Sequence, residues 1–171
     1  MAHLSKFSAL LAATAILAGV GAGCGSAASP SNSRAAAVRQ TTTEFVNDLL
    51  ITSNPKQLCS LLAPSEIHKY GGSQKKCTEE FTFVSAFVQG FEASNPQGRA
   101  YAKECFSATQ AAILSAPISF VGNTASLAIR PQGVPAQAKF GNTTLSCSGG
   151  GTAYLVLLAG KWLIVSAPEQ Q

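Results

Sequence analysis

The chain has 171 residues, of which 46% are hydrophobic and 12% charged, with a formal net charge of +4. That length suits one domain built around one core. The basic residues are scattered, with only Lys75 and Lys76 adjoining, so the clustered positive footprint of a nucleic-acid partner is excluded.

Lys6 and then residues 7–20, uncharged and almost entirely Ala, Leu, Val, Ile and small residues, have the form of an export signal. The apolar stretch covers about 14 residues, short of the roughly 20 that a membrane-spanning helix needs, so it reads as a signal and not as an anchor. Gly21-Ala22-Gly23-Cys24 resembles the lipobox of bacterial lipoproteins, which implies cleavage before Cys24 and a diacylglyceryl group on its sulfur. The same small residues also satisfy an ordinary signal-cleavage site. Counting cysteines favours the lipid. With Cys24 assigned to it, Cys59, Cys77, Cys105 and Cys147 form an even set, suited to two disulfides in an oxidising compartment. The chain is therefore expected to be exported and held by Cys24 at the outer face of the cytoplasmic membrane, or secreted if it is not lipidated.

Residues 1–23 are thus a signal peptide, and the small, polar residues that follow read as a flexible tether over 24–34. A single domain is expected over 35–167, with a tail at 168–171. In residues 35–52, Val38, Phe45, Val46, Leu49 and Leu50 fall at helical spacing. Asn54-Pro55 supplies a cap and a first-turn proline for a short helix through Leu62 that carries Cys59. Ala63-Pro64-Ser65-Glu66 opens another turn or two, closed by Gly71-Gly72. From Ser73 to about residue 93, Cys77, Phe81, Val84, Val88 and Phe91 step by four and three, which predicts a third helix. Alternation of Phe81, Phe83, Ser85 and Phe87 offers a competing strand, and length favours the helix. Asn95-Pro96 ends it, with one more helix expected around residues 100–110.

Beyond Ser115 the period changes to two. Ile118 and Phe120, a Gly122-Asn123 turn, then Ala125, Leu127 and Ile129 form a hairpin signal. After a loop at 131–135 come a second pair of strand segments, 136–140 and 143–147, around Gly141-Asn142. A third pair, 153–158 and 161–165, turns at Ala159-Gly160 with Trp162 on its return. Helices first and strands after predict an α+β domain, its N-terminal helices packed on one face of an antiparallel sheet.

Phe45-x-x-Asp48-Leu49-Leu50, Cys59-x-Leu61-Leu62 and Cys77, followed by a meander ending in Gly160-Lys161-Trp162 and an apolar strand, resemble small secreted actinobacterial lipoproteins of the nuclear-transport-factor-2-like superfamily. The resemblance implies a cone-like domain whose curved sheet has about four to five strands. It also implies a Cys59–Cys77 disulfide; among the three pairings open to four cysteines, that leaves Cys105–Cys147.

Enzymes on that fold place an Asp, or an Asp-His pair, inside the open cone for proton transfer, a role the resemblance would give to Asp48, the only aspartate. Exposure habits of acids read Asp48 instead as a solvated or capping carboxylate near a helix end, and His68, the only histidine after the signal, as a surface residue. Thr41-Thr42-Thr43 has no Gly-x-Ser-x-Gly elbow behind it, and Glu79 and Glu80 point about 100° apart on a helix. No C-x-x-C spacing occurs, so no metal or other cofactor is expected, and no catalytic residue is assigned. Phe81, Phe83, Phe87, Phe91, Phe120, Phe140, Tyr154 and Trp162 either fill the core or line an apolar cavity. The function expected is a membrane-tethered, non-enzymatic module that takes an apolar small ligand or an envelope protein as partner. The alternative is an acid-base enzyme, isomerase-, dehydratase- or cyclase-like, with Asp48 as its base.

Overall fold

The computed structural model describes residues 30–147 and 150–167. The residues expected to form a signal peptide, Cys24 and the tail at 168–171 lie outside the described residues, as do the side chains of Phe87 and Val88. Five helices come first: α1 Pro30–Leu50, α2 Pro55–Ser60, α3 Pro64–Lys69, α4 Gln74–Ser94 and α5 Pro96–Ser115. Six strands follow: β1 Ile118–Val121, β2 Thr124–Ile129, β3 Gln137–Phe140, β4 Thr143–Ser146, β5 Gly151–Leu158 and β6 Lys161–Val165. The α+β class read from the sequence is what the chain adopts.

Local chemistry sets the helix boundaries. The Asn54 side chain accepts from the Gln57 amide at 3.2 Å with Pro55 in the first turn, and Ser73 Oγ accepts from the Lys76 amide at 3.3 Å. Asn95 both ends α4 and caps α5, its Oδ1 accepting from the Gly98 amide at 2.9 Å. A Cβ at Gly98 would meet the Phe91 ring, so a larger residue there would have to push that ring aside. Capped by Asn95 and with Pro96 in its first turn, α5 starts at Pro96, ahead of the expected start near residue 100.

The first helix differs more. It begins at Pro30, so residues 30–34 are helical and not part of the tether. Composition alone could not show this, because the cause is tertiary: Arg34 Nη2 donates to the Gly122 carbonyl at 2.7 Å, and its guanidinium lies 4.7 Å from the Phe120 ring centroid and 5.6 Å from that of Trp162. Those contacts hold the start of α1 against the β1–β2 turn.

The main sheet is antiparallel in the order β1-β2-β5-β6. Its inner face presents Ala125, Leu127, Leu155 and Trp162, which pack on Val38 of α1 and Ile113 of α5. The β3–β4 hairpin does not join it and forms a two-stranded sheet of its own, apart from the four strands of the main sheet, which fall within the four to five expected. Tyr101 and Cys105 of α5 explain the separation. The Tyr101 hydroxyl donates to the Pro135 carbonyl at 2.7 Å and accepts from the Cys147 amide at 2.9 Å, and Cys105 is disulfide-bonded to Cys147. The second disulfide, Cys59–Cys77, joins α2 to α4. Both pairings agree with those implied by the resemblance, and such bonds persist in an oxidising, extracytoplasmic setting.

The aromatic side chains among the described residues do not gather around one cavity. Phe120 and Trp162 meet under α1, Phe91 and Tyr101 both meet Phe140 beneath the second hairpin, and Phe81 meets Tyr70. Of the helical stripe expected on α4, Cys77 is buried, Phe81 and Phe91 are partly buried and Val84 is 44% exposed, while Phe83, which belongs to the competing strand alternation, is 78% exposed. In the β5–β6 turn, Ala159 has φ +48° and Gly160 φ +78°. Two positive values make this the turn that suits a twisted hairpin, and alanine takes it only with strain.

Candidate functional site

Strand alternation leaves the outer face of the main sheet to a second set of side chains. Register places Ser119, Ser126, Tyr154 and Val165 in one row across all four strands, and Val121, Thr124, Val156 and Leu163 in the next. Among the described residues, no helix lies over the centre of these rows. At the β6 edge the chain doubles back: the Ile164 amide donates to the Leu61 carbonyl at 2.8 Å and the Ala63 amide to the Ile164 carbonyl at 2.9 Å. That short bridge sets α3 beside the outer face as a wall. The result is a cleft of about 840 Å³, floored by β1, β2, β5 and β6 and bounded by Ala63, Pro64, Glu66 and Lys69.

Most of the floor is apolar. Ser119, Ser126 and Tyr154 bring polarity to its middle, and Glu66, Lys69 and Ser166 form one end. Glu66 is 8% exposed, and its carboxylate is saturated. The Ser166 amide donates to Oε1 at 2.9 Å, the Ser166 hydroxyl to Oε2 at 2.7 Å, and Lys69 Nζ to both oxygens at 3.1 and 3.2 Å. Burial pushes the Glu66 pKa up, but the Ser166 amide and hydroxyl and the Lys69 ammonium outweigh it and hold the carboxyl below its ordinary 4.5. Sequence reasoning passed over this residue. The Glu66–Lys69 spacing of three was a visible signal of an ion pair on one helix face, whereas Ser166 stands 100 residues away.

A carboxylate whose folded pKa lies below its unfolded one adds stability above the unfolded value, and loses it as pH falls through the folded one. Glu66→Gln should therefore lower unfolding free energy at pH 7 by about 1.5–3 kcal/mol, the range for hydrogen bonds to a charged group. The gap to wild type should narrow at pH 3. Urea unfolding at the two pH values checks this, and an equal gap at both would show that the charge is not what Ser166 and Lys69 hold.

A smaller cavity of about 410 Å³ lies between α1 and the far end of the sheet, lined in part by Phe45, Val46, Leu49, Ile129 and Ile164. Asp48 is on α1 between these residues but does not line either cavity. It is 7% exposed, which corrects the expectation of a solvated carboxylate. The reason is local: Thr52 Oγ1 donates to Asp48 Oδ1 at 2.7 Å, and the chain folds back after the helix so that the Asn54 amide reaches the Asp48 carbonyl at 3.2 Å. The bond its Oδ1 accepts comes from the Thr52 hydroxyl one turn on, and is not the backbone-amide bond of a cap. His68 is exposed, also as read.

Among the described residues, no group of His, Cys, Asp and Glu side chains could hold a metal ion. Among them, too, no helix is long and apolar enough to cross a membrane. No protein family, no curated protein and no solved structure matches the chain, so the chemistry of the cleft rests on its own geometry.

Proposed function

We propose that this protein is an exported lipoprotein, anchored through Cys24 to the outer face of the cytoplasmic membrane, whose domain binds a small apolar ligand without catalysis. The observation that carries the binding role is the outer cleft. Its volume lies in the range of small-molecule sites, its floor is largely apolar, and its polar groups are few and placed toward the middle and one end. Two disulfides support an oxidising location, and their use of Cys59, Cys77, Cys105 and Cys147 leaves Cys24 as the single cysteine available for lipid. Membership of the nuclear-transport-factor-2-like superfamily belongs to the same reading, supported by a long α1 laid across the sheet with a cavity beside it.

The enzyme alternative draws less support. Asp48 is engaged by Thr52 and stands outside both cavities, and the carboxylate that does border the outer cleft, Glu66, already accepts from Ser166 and Lys69. A general base needs a reachable lone pair toward its substrate. To test the binding role, the mature protein is titrated with a fluorescent long-chain fatty acid. Saturable binding is expected, weakened about ten-fold or more by Val156→Asp, which sets an unpaired charge in the floor. Absence of saturable binding, or equal affinity in the variant, would refute the assignment to this cleft.

A further inference from the structure

The position of Pro30, the first described residue of α1, bounds where the anchor can meet the domain. On the proposed lipidation of Cys24, residues 24–29 alone separate the lipid from α1. Fully extended, they reach at most about 20 Å. The part of the domain within that reach is the end where α1 begins, and Arg34 ties it to the β1–β2 turn through Gly122. The β5–β6 turn stands at the same end, since the Leu157 amide donates to the Asn123 carbonyl at 2.7 Å and Arg34 also lies over Trp162.

This end has the surface of a membrane contact. Val121 is 76% exposed and Leu158 41%, one at each hairpin tip. Segments 30–34, 121–124 and 157–161 contain Arg34 and Lys161 and no carboxylate. Ala159 takes the left-handed corner of the tip, where Asn or Gly would be unstrained, so the tip is apolar at some cost in stability. Exposed apolar side chains beside cations, within a short tether of an acylated residue, match the two-signal logic of membrane association, in which lipid insertion and attraction to anionic headgroups add.

We propose that the two hairpin tips rest on the surface of an anionic phospholipid bilayer, with Val121 and Leu158 entering the interface and Arg34 and Lys161 supplying positive potential. In this pose the outer cleft, which both apolar residues border, opens beside the lipid. The proposal rests on the anchor assigned above.

The test places a reporter at the tip and another at the opposite end of β5. Val121→Trp and Thr152→Trp are made in the full chain, purified as the lipoprotein and reconstituted in vesicles of phosphatidylglycerol and brominated phosphatidylcholine. Trp162 is 5% exposed and contributes the same background to both. The Val121→Trp emission should be quenched about two-fold or more relative to Thr152→Trp, as expected of a side chain in the interface. Equal quenching on a chain whose intact mass carries the lipid overturns the docking and leaves the anchor standing. A blue shift without bromine quenching indicates pairing with a second copy and also overturns it. A chain lacking lipid mass overturns the anchor and the docking together.

Discussion

Replacing Cys105 and Cys147 together by alanine should lower the unfolding free energy by about 4 kcal/mol in the chain-entropy account, the larger of the two disulfide effects. The cross-link closes a 42-residue separation, against 18 for Cys59–Cys77, for which the same account gives about 3 kcal/mol. The loss should be concentrated at β3–β4. Among the described residues that hairpin pairs with no other strand, and it leans on α5 through Tyr101, Cys105, Val134, Ala138, Phe140 and Leu145. Two-stranded hairpins are marginal by themselves in water. Hydrogen exchange on the double variant should show protection falling first at residues 137–146, with the main sheet keeping more of its own. Uniform loss across both sheets would contradict the view of β3–β4 as a unit stapled to α5.

Leu155→Ala is expected to cost about 2–5 kcal/mol, the range for deleting a fully buried leucine. Leu155 is 0% exposed on β5, an inner strand paired with β2 on one side and β6 on the other. It packs with Val38, Ala125 and Trp162, so its side chain fills the contact between α1 and the sheet. Cross-strand neighbours Ala125 and Ile164 cannot close the space, since the first is small and the second is already packed beneath Leu58 and Leu62. Both the midpoint and the slope of chemical denaturation report the change. A cost below 1 kcal/mol would mean that α1 settles into the gap, and the outer cleft on the other side of the same strand would then be softer than its geometry implies.

How much of this was legible beforehand depended on the range of the interactions involved. Helix starts at Pro55, Pro64 and Ser73 were readable because their signals are local: a capping side chain, a proline in the first turn, or both. The three hairpins were readable for the same reason, through alternation and the Gly122-Asn123, Gly141-Asn142 and Ala159-Gly160 turns. What composition could not carry was any partner far along the chain. Residues 30–34 look like linker until Arg34 finds Gly122, 88 positions on. The second hairpin reads as one more pair of strands until Tyr101 and Cys105 claim it. Glu66 looks like a surface acid until Ser166 closes over it. The cleft itself was the least visible feature, because it depends on Ala63 bridging to Ile164 and setting α3 at the sheet edge. Tyr154 stood among the aromatics that could line a cavity, but its neighbours in the cleft are Ser119, Ser126 and Val165, brought there by register.

Intact mass of the protein extracted from the membrane fraction under non-reducing conditions tests the proposed lipid tether and the two disulfides together and most directly. The predicted species begins at Cys24, carries a diacylglyceryl group, and is four hydrogens lighter than the fully reduced chain because both disulfides are closed. An unmodified chain recovered from the soluble fraction, or one with free thiols at Cys59, Cys77, Cys105 or Cys147, would contradict it.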